Sequence, residues 1–447
     1  MDIGEAIAGL NIGLEQIADP AAKAIIKQLL NIIEAQSGII KKLTIENQNL
    51  KDENNRLKGE QGKPNIRKQT QAKRDISSEG ERKNTKASKK KKGKKKGVIK
   101  ATRVKHCVLD KADIVAAGLA SSHHQQMDDT GGRVKGQNHY THILCNDLYA
   151  AYFTRRHKDR LTILEILSQG EMAHHFNEAS YALMEQMGLP EKRLNALRAS
   201  ASQKVMNRME VDALLAVLFP QAEGKKIRHP TSQRIIVEAS AITAYQELPH
   251  AIQVLLTDDA PQFKQITNLL ALCWVHDGRH YKKLEPVIPY HREQLNAFLD
   301  RYWDYYRKLL AFKAAPNETL ATSLSSEFEA LFTTKTGYEQ LDDRIEKTRL
   351  KQPSLLLVLR YPELPLHNNT SELAARRQAC YRDSSQHTMN KAGTEAKDTF
   401  MTLVATAKKL AVNSYHYFYD RLTQKYEMPS LADLIKMNSQ GFVFSSA

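Results

Sequence analysis

Three acidic stretches, far apart in the chain, hold residue types that could do chemistry together. They are Gln126-Met127-Asp128-Asp129-Thr130-Gly131, Leu256-Thr257-Asp258-Asp259-Ala260-Pro261-Gln262-Phe263 and Leu366-His367-Asn368-Asn369-Thr370-Ser371-Glu372. Each sets a carboxylate at the edge of an otherwise apolar or small-residue element. The first two follow strand-like text, and the third opens a helix-like run. Carboxylates delivered by three separate elements meet the needs of two hard cations. Magnesium takes oxygen ligands, keeps part of its water shell and completes the rest from substrate phosphates. A pair of such ions can hold both the attacking and the leaving oxygen of an in-line phosphodiester displacement. The chemistry implied is metal-dependent and directed at DNA.

The elements that must position these acids are visible as changes of pattern. His123 to Val134, His139 to Asn146 and Tyr149 to Arg155 read as three consecutive short strands, with breaks at Gly131-Gly132 and Lys135-Gly136-Gln137. Helical patterns fill residues 159–247. Val254-Leu255-Leu256-Thr257 suits a buried parallel strand, and Leu270 to Val275 reads as another. Residues 287–352 are again helical, Glu372 lies near the start of a helix running through Arg376 and Arg377, and two further helices are expected at 394–411 and 414–425. The sum is an α/β core, a mixed sheet flanked by helices, with helical insertions near 165–247 and 287–360. Neighbouring residues on a strand point to opposite faces, so only one member of each aspartate doublet can face the metals. Glu372 alone also reads as an ordinary first-turn glutamate interacting with the helix dipole.

A chain of 447 residues is long enough for two or three modules. Its basicity sits in one place: residues 61–105 hold 18 of the 66 lysines and arginines but only 3 of the 50 acidic residues. The run Lys89, Lys90, Lys91, Lys92, Lys94, Lys95 and Lys96 cannot pack alone, because its charges repel and it has almost nothing apolar to bury. It reads as a disordered arm that neutralises DNA phosphates without reading bases, or as a solubilising linker. Before it, residues 22–58 carry a heptad repeat. Ile26, Ile33, Ile40, Asn47 and Asn54 fall at a, and Leu29, Gln36, Leu43, Leu50 and Leu57 fall at d. That pattern predicts a parallel two-stranded coiled coil, hence a homodimer, with Asn at a fixing the register. The expected modules are a coiled coil over 1–60, a Lys-rich linker over 61–106 and a catalytic domain over 107–447.

Cys107, Cys145, Cys273 and Cys380 are scattered, which argues against a disulfide framework and suits a reducing cytoplasm. No stretch nears the ~18 apolar residues of a membrane span, and the first residues lack a basic signal-peptide start, so no membrane association is expected. Cys273, His276 and His280 give C-x-x-H-x-x-x-H, which hints at zinc, but a tetrahedral structural site needs a fourth ligand and none is evident nearby. Cys273 is read instead as a core residue. His276, Arg279, His280, Lys282 and Lys283 form a basic edge able to hold a DNA strand, as could Arg376, Arg377 and Arg382; a solvated charged face is the alternative.

In this order the motifs resemble those of the transposases of the insertion sequence 66 family, over most of residues 120–435. They are Asp128-Asp129-Thr130, Asp258 after its apolar strand, Cys273-Trp274-Val275-His276-Asp277-Gly278-Arg279-His280 and Asn368-Asn369-Thr370-Ser371-Glu372. The resemblance implies a ribonuclease-H-like fold with an Asp-Asp-Glu triad. It selects Asp128, Asp258 and Glu372 as catalytic residues and ligands of two Mg²⁺ ions, with Mn²⁺ able to substitute. It further implies strand cleavage and strand transfer on transposon ends and target DNA, in a bacterial, nucleoid-associated setting. The chain departs from the pattern in lacking a zinc-binding cysteine cluster and in joining the basic arm almost directly to the first catalytic strand, as an internal deletion would do. The competing expectation is therefore a decayed copy that acts only as a dimeric, nonspecific DNA-binding protein.

Overall fold

Residues 124–155 form three consecutive strands, and the rest of the larger part of the molecule is arranged on them. The computed structural model describes Leu14 and residues 17–57, 109–170, 172–220 and 229–439. The chain divides into two units, residues 1–106 with 286–289 and residues 107–285 with 290–447. In the first, Pro20 opens one long helix, α1 (Pro20–Leu57), over the predicted heptads. The heptad residues Leu29, Ile40, Leu43, Leu50 and Leu57 are each at least 50% exposed on it. The lysines of the basic arm, Lys89 to Lys96, and Cys107 lie outside the described residues.

The second unit starts with α2 (Lys111–Ala120) and the meander β1 (His124–Val134), β2 (Gln137–Cys145) and β3 (Ala150–Arg155). Gly136 holds the left-handed conformation that the tight β1–β2 turn requires, at φ +76°. A helical segment follows: α3 (Arg160–Leu167), α4 (Glu178–Gln186), α5 (Glu191–Ala201), α6 (Arg208–Leu218) and α7 (Pro230–Gln246). The three-residue strands β4 (His174–Phe176) and β5 (Lys204–Met206) pair antiparallel within it across α4 and α5, each too short to stand out from helical text. The chain then returns to the sheet as β6 (Val254–Thr257) and β7 (Leu269–Leu272). Trp274 and Val275, expected at the end of a strand, instead open α8 (Trp274–Lys282).

The sheet order is β3-β2-β1-β6-β7. β1, β2 and β3 pair antiparallel, whereas β6 runs parallel to β1 and β7 parallel to β6. Helices cover both faces. Met127, Leu144, Ala151 and Leu255 join the larger core on one face, with α2, α3 and α7. Ile143, Cys145 and Tyr152 point to the other face and meet Ala374, Met401 and Ala405, while Val254 and Leu256 pack there against Leu357 and Leu364.

A helical insertion separates α8 from the last helices: α9 (Pro289–Ala314), α10 (Glu318–Phe332), α11 (Glu339–Arg349), and the short α12 (Gln352–Leu355) and α13 (Leu357–Arg360). Its core is aromatic and includes Trp274 of α8, packed on Tyr302, Tyr305, Phe328 and Phe332 and donating its indole N–H to Leu355 O at 2.9 Å. Gly278 is needed where α8 meets α9, since a Cβ there would lie 2.8 Å from the Trp303 ring. The chain then forms α14 (Asn369–Ser385), α15 (Lys391–Lys409), α16 (Ser414–Thr423) and α17 (Leu431–Ser439).

Candidate metal centre

Register and alternation bring the two aspartate doublets together. β1 pairs with β6 at His124–Val254, Gln125–Leu255 and Gln126–Leu256. The same register carried two residues further sets Asp128 level with Asp258, just past the end of β6. Met127 is fully buried in the core on one face, so Asp128 points to the opposite face, beside its β2 partner Ile143. That face is covered by α14, whose first turn carries Glu372.

The members of each doublet differ in their neighbours. Asp129 is ion-paired to Lys158 at 3.3 Å and accepts a hydrogen bond from Gln262 Nε2 at 2.8 Å. Asp259 is ion-paired to Lys264 at 3.0 Å and Lys351 at 2.8 Å. Burial works to raise the Asp259 pKa, but the hydrogen bonds from the two lysines outweigh it and hold the carboxyl below its ordinary value. Asp128 accepts the N–H of Asp129 at 2.8 Å, and Asp258 accepts the N–H of Ala260 at 3.1 Å. Neither has a cationic side chain within ion-pair distance among the described residues. Burial pushes Asp128 up to about 7; the Asp129 N–H opposes this, and the negative charges of Asp258, Asp129 and Glu372 add to it. Asp128 therefore senses both other predicted acids.

Glu372 is placed differently. His276 Nε2 lies 3.4 Å from Glu372 Oε1, and Arg279 donates to Glu372 Oε2 at 3.1 Å and approaches His276 Nε2 at 3.0 Å. Two residues of the predicted basic edge thus meet the predicted glutamate. Arg376 is exposed on α14 one turn further on, and Arg382 reaches back to the Gly131 carbonyl. His280, Lys283 and Lys351 line a cavity of about 420 Å³ with Asp258, Asp259, Cys273, His276, Asp277 and Arg279, so the edge is concave and carries carboxylates and Lys or Arg cations in equal number.

Cys273 is buried, as expected of a core residue, but it does not stand apart from the site. Cys273, His276 and Glu372 form the cluster, each offering a ligand atom within 4.8 Å of the others. Cys273 is the N-cap of α8, which puts it and His276 on the same side of the first turn. Burial raises its thiol pKa, against the backbone N–H groups of Asn368, His276 and Val275 that favour the thiolate.

Sequence reasoning also missed the brace behind Asp259. Lys351 bridges Asp259 to the buried Asp277, at 2.8 and 3.3 Å, and Asp277 is held in turn by Arg344 and by Thr348 at 2.8 Å. This network fastens the β6 tip to the helical insertion. Only the alternation of acid and base along α11 hinted at it.

The chain is 30% identical over 309 residues to the uncharacterized protein y4jO of Sinorhizobium fredii (strain NBRC 101917 / NGR234), a match covering 68% of this chain and 94% of that protein. The chain belongs to the y4jO family. No family model matches it, and no solved structure matches it. What the y4jO family does must therefore be argued from the site itself. Among the described residues, no helix of this member is long and apolar enough to cross a membrane.

Proposed function

We propose that the protein is a metal-dependent DNA transposase with a ribonuclease-H-like core, in which Asp128, Asp258 and Glu372 hold two Mg²⁺ ions. One observation carries the reading. Two carboxylates without cationic partners among the described residues lie level, one on β1 and one just past the end of the adjacent parallel β6, facing the helix that delivers the third. A partly buried carboxyl that feels three neighbouring negative charges is a group in want of a cation, and an all-carboxylate donor set suits magnesium. The order of three antiparallel strands followed by two parallel ones, β3-β2-β1-β6-β7, supports the ribonuclease-H-like reading.

Bound magnesium would neutralise charge at the attacking and leaving oxygens of a phosphodiester. The chain's own part is binding and positioning. Lys283 and Arg279 offer positive charge along the cavity beside Asp258, where a strand's phosphates can lie. The anchored β6 tip and α8 hold the acids in place, so little reorganisation is needed. The Lys-rich arm would add affinity that depends on salt and not on sequence. Asp128→Ala, Asp258→Ala or Glu372→Ala should each abolish Mg²⁺- or Mn²⁺-dependent cleavage and strand transfer while leaving nonspecific DNA retention nearly intact. Substantial cleavage by Glu372→Ala would remove that residue from the set, and cleavage by all three would end the proposal.

The exposed heptad face of α1 supports a homodimer, which suits an enzyme that must act on two DNA ends. Leu43 and Leu50 are 56% and 64% exposed, so charging them leaves the monomer's packing untouched. Light scattering should find a dimer that Leu43→Lys with Leu50→Lys converts to monomer. A double variant that stays dimeric would assign assembly to another surface.

A further inference from the structure

The cluster at the start of α8 has a donor set that magnesium does not use. Cys273 Sγ, a ring nitrogen of His276 and a carboxylate oxygen of Glu372 all lie within 4.8 Å of one another. A hard cation such as Mg²⁺ prefers oxygen throughout. A thiolate with an imidazole and a carboxylate is what zinc and its neighbours in the periodic table take, and three protein ligands leave one position open. A second observation marks the same place. Asn368 is fully buried, yet neither its Oδ1 nor its Nδ2 has a partner among the described residues. It stands at the N-cap of α14, but its side chain makes no capping hydrogen bond. Asn177, Asn207, Asn317, Asn390 and Asn413 all do cap their helices. His276 Nδ1 is likewise buried without a partner among the described residues. Meanwhile the Arg279 guanidinium occupies the cation's place, with Nη1 on His276 and Nη2 on Glu372. Its side chain is 48% exposed, so it can leave.

We propose that Cys273, His276 and Glu372 form a binding site for a borderline divalent cation of the zinc class, which displaces Arg279. Binding releases the thiol proton of Cys273 to solvent and leaves the fourth position to water. The site stands on its own donor atoms, but its consequence rests on the transposase reading: zinc ties up Glu372 and so opposes magnesium.

Cobalt(II) added to the full-length protein is the probe, because a cobalt–thiolate bond absorbs in the near ultraviolet and tetrahedral cobalt in the visible. The wild-type chain should show both bands, and zinc should bleach them. Cys273→Ser should lose the thiolate band. Glu372→Gln, which leaves the buried thiol in place, should keep the band with affinity lowered at least about tenfold. No thiolate band in the wild type, or one that survives Cys273→Ser, overturns the site. Cleavage by the wild type should fall over the zinc range that bleaches cobalt. Unaffected cleavage overturns the competition for Glu372, whereas absence of any magnesium-dependent cleavage, with the cobalt bands intact, counts against the transposase reading alone.

Discussion

Asp128 and Asp258 differ from Asp129 and Asp259 in one respect: among the described residues the first of each pair is left without a cation and the second is tied to lysine. The same residue type, one position along the chain, serves two ends. The lysine-paired acids fasten the strand tips to their surroundings. The unpaired ones repel one another until a proton or a bound cation relieves it. The difference teaches that the acidic doublets are not redundant, and on the proposed reading it confines metal binding to one face of the sheet.

The largest test of that contrast is Asp128→Asn in metal-free protein. Asp128 titrates at about 7 when folded, against 3.8 ordinarily, because of its burial. A raised carboxyl contributes stability that is fully present below its unfolded pKa and is lost as pH rises through the folded one. Asn keeps the neutral form at every pH. Denaturant melts near pH 8 should therefore find Asp128→Asn more stable than wild type by on the order of 2–4 kcal/mol, shrinking to nothing below about pH 4. Magnesium should stabilise the wild type and not the variant, with affinity rising as pH climbs through about 7. A variant no more stable than wild type at pH 8 would mean that Asp128 is already neutralised.

A smaller effect of opposite sign is expected on the other members. Asp129→Asn and Asp259→Asn remove partly exposed ion pairs and should destabilise by roughly 1 kcal/mol each. For Asp259, whose folded pKa is depressed, the loss should appear at neutral pH and fade as pH falls through the carboxylate range. Magnesium-dependent stabilisation should survive in both. Its loss in either variant would erase the distinction drawn here.

Much of the sheet was legible because the β1–β2 turn carries its local signal in Gly136, although Gly131-Gly132, read as a break, lie inside β1. The three-strand meander and β6 lie where the pattern predicts, as do α1 and the helices around 394–411 and 414–425, within a few residues at their ends. The run Leu270 to Val275 was misread because nothing in six apolar residues marks where a strand yields to a helix, and cysteine is an unusual N-cap. The choice of Asp128 over Asp129 came from resemblance; in the structure the burial of Met127 turns Asp128 to the face that α14 covers. The meeting of Cys273 and His276 with Glu372 was not legible, since nearly a hundred residues of aromatic insertion lie between them and no spacing rule spans such a gap.

That insertion has a consequence for the order in which the molecule comes into being. Trp274 and Gly278 press α8 into a core completed only by residues beyond 330, and Glu372 follows later still. Closing loops of that length is slow and must await the whole intervening chain. On a ribosome, both aspartates would emerge long before their glutamate exists. On the proposed reading, a partly made protein would hold its Lys-rich arm but not its complete set of acids, and could not cut DNA before its synthesis is finished.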